Sequence, residues 1–359
     1  MSQKAFAGRN GVMEGARRDR LIIAIVLGVA FAASPSNASA QTRDANLERC
    51  ADADPDLSIG GCTALIQSGQ GTPSDLAQAF FNRARSYNAN GEPDRAIQDY
   101  GEAIKLDPAF AFAFNNRGNA YNTKGDHDRA IQDFDQAIRL DPGYVVAFNN
   151  RGVAYSSKGD DDRAIQDYDT AIELDPTYPR AFNNRGYSYN EKGDLERAIQ
   201  DYDQAIRLDP DYARALSNRG TAYNAKGDYD RAIRDLDRSI ALNPNYATAF
   251  SSRCIAKALL GRLQEALADC DNSLDISPGD RNALTSRGVV NLRLKLPDAA
   301  MADFDASLKA DAKYALSLYL RGLARQMKGD TTGGRADLAA ARQIQADIAD
   351  EVAKYGVTP

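Results

Sequence analysis

The sequence predicts an all-α protein, a solenoid of eight helical hairpins with a capping segment at each end. Three observations carry this reading. From Ala77 the 359-residue chain repeats every 34 residues, without insertion or deletion, as far as Ile348; the units begin at 77, 111, 145, 179, 213, 247, 281 and 315. Within each unit, apolar or small residues recur at positions 4, 8 and 11 and again at 20, 24 and 27, which is helical spacing. Gly-Asp divides the two halves of most units and Asp-Pro closes them, as in Gly125-Asp126 and Asp141-Pro142. A single hairpin cannot bury its apolar stripe alone, so the units must stack on one another.

In chain order, residues 1–40 read as a secretory leader. A basic stretch (Arg17, Arg18, Arg20) precedes the apolar run 21–33, and Ala38-Ser39-Ala40 offers a small-x-small cleavage site, with the cut expected after Ala40. The run of 13 residues falls short of the roughly 20 that a membrane-spanning helix needs. The expectation is a periplasmic or secreted chain with no stable membrane insertion after cleavage. The net charge would move from −6 to −9, because the leader holds five basic and two acidic residues.

Residues 41–76 form the N-terminal capping segment. The stretch from Asp54 to Ile66 resembles one second helix, with Cys62 where an aromatic residue stands in later units. Four cysteines allow three pairings, and proximity favours Cys50 with Cys62 and Cys254 with Cys270; four buried thiols are the alternative. The second pair occupies positions 8 and 24 of one unit, which face each other across a hairpin.

In the repeats, the glycine of Gly-Asp can adopt the left-handed conformation that ends the first helix, and the aspartate can cap the second. The proline of Asp-Pro disfavours helix in the residue before it. At the packing positions large and small residues alternate: Phe114, Gly118, Tyr121, Ala130, Phe134 and Ala137 in the second unit. The last three units depart from this pattern. Lys257, Asn291 and Arg325 replace the tyrosine, Lys295 replaces a turn glycine, and Ala312 and Ala346 stand where proline belongs. The final helix is expected to run on through Ile348 and Val352, making 349–359 the C-terminal cap.

The period of 34, the aromatic-x-x-x-Gly-x-x-Tyr run and the following Ala, aromatic, Ala and Pro resemble the tetratricopeptide repeat family. The resemblance implies a right-handed superhelix whose first helices line a concave groove used for protein recognition. Position 6, groove-facing by this resemblance, is asparagine in five successive units: Asn82, Asn116, Asn150, Asn184 and Asn218. An amide both donates and accepts, so it can pair with a peptide backbone whatever the side chains. First helices about 10 Å apart and an extended rise of about 3.3 Å per residue set adjacent asparagines about three peptide residues apart. Asn115, Asn149, Asn183 and Asn122 stand beside this row, with Arg85, Arg180 and Arg214 as the main groove charges. Duplication alone could also copy solvated asparagines from unit to unit.

Position 7 is arginine and position 23 aspartate in all eight units, from Arg83 and Asp99 to Arg321 and Asp337. Such strict repetition points to structural ion pairs between helices, since an active site does not need eight copies.

Other functions find little support. No basic block lies beyond the leader, which argues against nucleic acid. The single histidine, His127, reads as a solvated turn residue, and Asp52, Asp54 and Asp56 echo a calcium loop but lack its glycine and closing glutamate. We expect no cofactor, no metal and no catalytic activity. The expected function is an interaction scaffold that binds an extended polypeptide, in envelope assembly or secretion, with a glycan strand in the same groove as the alternative.

Overall fold

The computed structural model describes residues 35–357, and every regular element in them is a helix. The expected leader, residues 1–34 of it at least, lies outside the described residues. Helix α1 (Pro35–Cys50) contains the expected cut and pairs with α2 (Pro55–Ser68). Eight hairpins follow: α3 (Pro73–Ala89) with α4 (Pro93–Leu106), α5 (Ala111–Thr123) with α6 (His127–Leu140), and α7 (Val145–Ser157) with α8 (Asp161–Leu174). Then come α9 (Pro179–Glu191) with α10 (Leu195–Leu208), α11 (Ala213–Lys226) with α12 (Tyr229–Leu242), and α13 (Ala247–Leu259) with α14 (Leu263–Ile276). The last are α15 (Arg281–Arg293) with α16 (Pro297–Ala310) and α17 (Ala315–Met327) with α18 (Thr331–Ile344), before the short α19 (Ile348–Ala353).

The turns follow from local chemistry. Asp126, Asp160, Asp194 and Asp228 each cap a second helix by accepting the main-chain N–H three residues on. Gly125 takes φ +80°, where a Cβ would be strained, yet Lys295 holds the equivalent turn at φ +63°. Six second helices stop where the residue at position 31 leaves the helix and its side chain accepts the N–H two residues on, as in Asp107 to Ala109 and Asp141 to Gly143. Asp311 makes the same bond to Lys313 although Ala312 replaces the proline. The expectation that the final helix runs on past Ala346 is therefore corrected. The chain turns at Gln345, extended at φ −139°, and α19 folds back to bury Ile348 and Val352 completely.

Inside six of the eight hairpins a position-8 glycine lets the helices approach, with Ala84 and Cys254 in its place in the first and sixth. A Cβ on Gly152 would lie 2.6 Å from the Tyr168 ring, and one on Gly118 would lie 2.7 Å from Phe134. Close packing of this kind leaves no room for a methyl group. In the sixth unit a Cys254–Cys270 disulfide replaces the glycine–ring contact, and Cys50–Cys62 joins α1 to α2. Cys62 is the eighth residue of α2, the place that Tyr100 fills in α4.

The arginine ladder works both within and between units. Arg151 binds the Asp167 carboxylate of its own unit through Nε (2.9 Å) and Nη2 (2.6 Å), and Nη1 reaches Asp135 of the preceding unit at 2.6 Å. Arg185, Arg219, Arg253, Arg287 and Arg321 repeat this double attachment. Burial raises the carboxyls of Asp133, Asp167 and Asp201 above their ordinary value despite the arginine, so at these rungs desolvation offsets much of the attraction of the pair. Arg83 turns Nη1 to the Thr63 hydroxyl at 3.0 Å instead, and Arg117 has no second partner among the described residues. Gly101 stands where the preceding unit's aspartate belongs, and Nη1 faces an empty position.

The altered last three units carry an exchange of partners. In the earlier units Tyr87, Tyr121, Tyr155, Tyr189 and Tyr223 at position 11 each lie beneath an arginine from position 19, with Arg95 to Arg231 at 3.8–4.7 Å from the ring centroids. Where the tyrosine is lost, so is that arginine, and Lys257, Asn291 and Arg325 instead bind the ladder aspartates Asp269, Asp303 and Asp337 at 2.7, 2.9 and 2.9 Å. The polar residues are built in.

Candidate interaction groove

First helices of neighbouring units touch one another, from α3 with α5 to α15 with α17, whereas second helices of neighbouring units do not. The first helices therefore form the inner wall of the curved stack. A pocket of about 410 Å³ opens on this wall from the third unit to the start of the sixth, lined by Val153, Asn183, Asn184, Tyr187, Arg214 and Thr248 among others.

The position-6 asparagines are half-buried along the wall. Four of them join a single chain of hydrogen-bonded amides with their position-5 neighbours. Asn218 donates to Asn183 (3.0 Å), Asn183 to Asn184 (3.1 Å), and Asn184 to Asn149 (2.9 Å). Asn149 then donates to Asn150 (3.3 Å), Asn150 to Asn115 (3.0 Å), and Asn115 to Asn116 (3.1 Å). Every bond runs the same way.

This moves Asn115 and Asn149 from groove contacts to a layer behind the row, while Asn183 still borders the pocket. Asn115, Asn149 and Asn183 are 2%, 4% and 1% exposed, and their hydrogen bonds go to other amides. Asn82 stands apart from the chain because Phe81 occupies position 5 of its unit; it accepts from Gln78 and lies against the sulfur of Cys50. Asn122 is tied to Nδ1 of His127 at 2.6 Å, so that histidine braces the turn of its unit. Ser156 and Asp161 make the corresponding contact one unit on.

Sequence reasoning missed the apolar part of the wall. Phe112 and Val146 at position 2 and Tyr187 at position 9 are exposed, and Phe112 packs edge-on to Tyr144 at 5.1 Å. Burial pushes the Tyr144 hydroxyl up to about 12, so it stays a neutral donor. Apolar residues at positions 2 and 9 were the available signal. Arg85, Arg180 and Arg214 are exposed as expected.

The groove is closed at its C-terminal end. Leu316, Tyr319, Leu320 and Leu323 hold positions 2, 5, 6 and 9 of the last unit and are buried beneath α19. Glu351 and Tyr355 reach back over Asn224, Ser252 and Ile255, enclosing a second pocket of about 510 Å³.

Four models described as TPR or tetratricopeptide repeat match residues 81–145, 134–166, 154–193 with 186–227, and 213–246. No curated protein matches the sequence. Among solved structures, the chain resembles the APC/C hetero-tetramer Cut9-Hcn1 at TM-score 0.64 and 18% identity, over 81% of this chain and 56% of that one. It thus spans little more than half of that relative. A tetratricopeptide repeat protein from Parabacteroides merdae aligns at TM-score 0.54 and 19% identity, over 74% of this chain and 98% of its own. Pseudomonas aeruginosa pilF aligns at TM-score 0.51 and 19% identity, over 59% and 96%. At these identities the likeness is one of fold. The repeat period, the hairpin packing and the matched models agree, and residues 81–246 of the chain belong to the tetratricopeptide repeat family.

Proposed function

We propose that this interaction scaffold binds an extended polypeptide in the groove of its first five units, that it has no catalytic role, and that it acts after export, in envelope assembly or secretion. The free bonding capacity of the row carries the reading. An amide has two N–H groups and two lone pairs on oxygen. Asn150 and Asn184 each spend one of either kind within the chain, which leaves one N–H and one lone pair uncommitted, the complement of a peptide unit. Exposed Phe112, Val146 and Tyr187 offer apolar surface for side chains along the same wall. The C-terminal closure by α19 favours the first five units over the last three.

The test is capture from periplasmic extract by the full chain and by a variant carrying Asn116→Ala, Asn150→Ala and Asn184→Ala. Loss of one defined polypeptide partner in the variant is expected, and undiminished capture would refute the groove. Retention of purified cell-wall fragments without a protein partner would favour a glycan strand instead. N-terminal sequencing of the exported protein should find Gln41 first.

A further inference from the structure

The three amides behind the row are almost wholly buried, yet they decide how the row presents itself. An asparagine side chain can flip, exchanging its donor and acceptor ends at little cost unless its partners fix it. Here the partners hold each amide in step with the next, so no single one can flip alone. Asn149 accepts from Asn184 of the next unit and donates to Asn150 of its own, and Asn183 does the same between Asn218 and Asn184. Asn115 completes the series between Asn150 and Asn116. Because the six bonds all point in one direction, flipping any single amide would set donor against donor on one side and acceptor against acceptor on the other.

From this, and resting on the groove reading above, we infer that Asn115, Asn149 and Asn183 are positioning residues that make the groove read a bound strand in one chain direction only. Each interior position-6 amide offers its remaining N–H and lone pair in the same order as its neighbours. An extended peptide likewise carries N–H and C=O in a fixed order along its length. A chain whose backbone repeats every three residues, as in the extended polyproline II form, therefore meets acceptor with donor at every unit when laid one way and like with like when reversed. The ends of the chain share this polarity: Asn116 keeps both N–H groups free and Asn218 both lone pairs, because Phe81 and Ser217 interrupt the pattern beyond them.

The structure also supplies a fold-compatible perturbation. Ser217 occupies position 5 of the fifth unit, fully buried, and its hydroxyl has no hydrogen-bond partner. Asn149→Ser copies that natural arrangement two units earlier. It removes the donor to Asn150 and the acceptor for Asn184 while leaving the residues that face the groove unchanged. A second variant, Asn183→Ser, repeats the test one unit on in case the first perturbs folding.

The experiment has two arms on the full chain. In the first, without ligand, side-chain amide resonances of Asn150 and Asn184 are recorded by NMR in the wild type and in Asn149→Ser. Both are expected to shift and to exchange faster with water, while the melting curve keeps its shape. In the second, a dodecapeptide selected from a random library on the immobilised protein and its reversed sequence are titrated by fluorescence anisotropy. The forward peptide should bind, the reversed peptide should not, and Asn149→Ser should weaken the forward peptide about tenfold, the loss of roughly one positioned hydrogen bond. Equal binding of both peptides, or full affinity in both serine variants, would overturn the inference while leaving the groove reading intact. Failure to select any peptide that competes at the row would overturn the groove reading and the directional claim with it, even where the amide resonances shift. Unmoved resonances would show that the buried amides hold nothing in place.

Discussion

Replacing Gly101 by aspartate should stabilise the protein by completing the one ladder junction that is missing a carboxylate. At six later junctions an aspartate at position 25 accepts from the next unit's arginine at 2.6–2.9 Å, from Asp135 with Arg151 to Asp305 with Arg321. At the first junction a Cβ on Gly101 would lie 3.7 Å from Nη1 of Arg117 and near nothing else, so there is space and a waiting donor. The equivalent aspartates are 42–56% exposed, which places the pair among partly exposed ion pairs of about 0.5–1 kcal/mol. Aspartate also exceeds glycine in helix propensity by about 0.3 kcal/mol. The sum is about 1 kcal/mol. Urea unfolding followed by circular dichroism at low salt is the suitable assay, since guanidinium would screen the pair; for a slope of about 3 kcal/mol/M the midpoint should rise by about 0.3 M. Gly101→Asn supplies the propensity gain without the charge. If Gly101→Asp proves no more stable than Gly101→Asn, or if its advantage survives at 1 M salt, where the screening length is about 3 Å, the ladder reading fails.

Three further outcomes follow from the structure. Lys295→Gly should raise stability by about 1 kcal/mol, because Lys295 sits at φ +63° in a turn that glycine fills elsewhere; a melt in which the variant matches the wild type would show no strain there. Cys254→Ser with Cys270→Ser should cost up to about 3 kcal/mol, the loop entropy of a 16-residue separation, and should remove the effect of added reductant on the sixth unit. Acid should destabilise the turns. Asp126 and Asp160 are held below their ordinary 3.8 by hydrogen bonds from the arginine three residues on, so their contribution is present above about pH 4 and lost as pH falls through the lowered value. Asp126→Asn with Asp160→Asn keeps a capping oxygen without titrating and should flatten the stability profile below pH 4, whereas the buried Asp133, Asp167 and Asp201 have the opposite sign and are relieved by protonation.

The amino-acid sequence by itself determined the hairpin, the period and the stacking, because each depends on residues close together in the chain: a capping aspartate three residues before the N–H it accepts, a glycine sixteen before the ring it admits, an arginine sixteen before its aspartate. Even the cysteine pairs were legible, since each lies within one hairpin. What only the tertiary structure decided involves the neighbouring unit. Positions 5 and 6 both read as polar groove residues, and one is buried because its acceptor serves an amide 35 residues further on. The same holds for the last three units, where Lys257, Asn291 and Arg325 resemble loss of pattern until the aspartates they bind are in view. It holds also for α19, whose turn at Gln345 comes from burying Ile348 and Val352 on α17 rather than from any local stop signal. Local propensity writes the brick, and burial and hydrogen bonding between bricks choose which of its polar faces remains open.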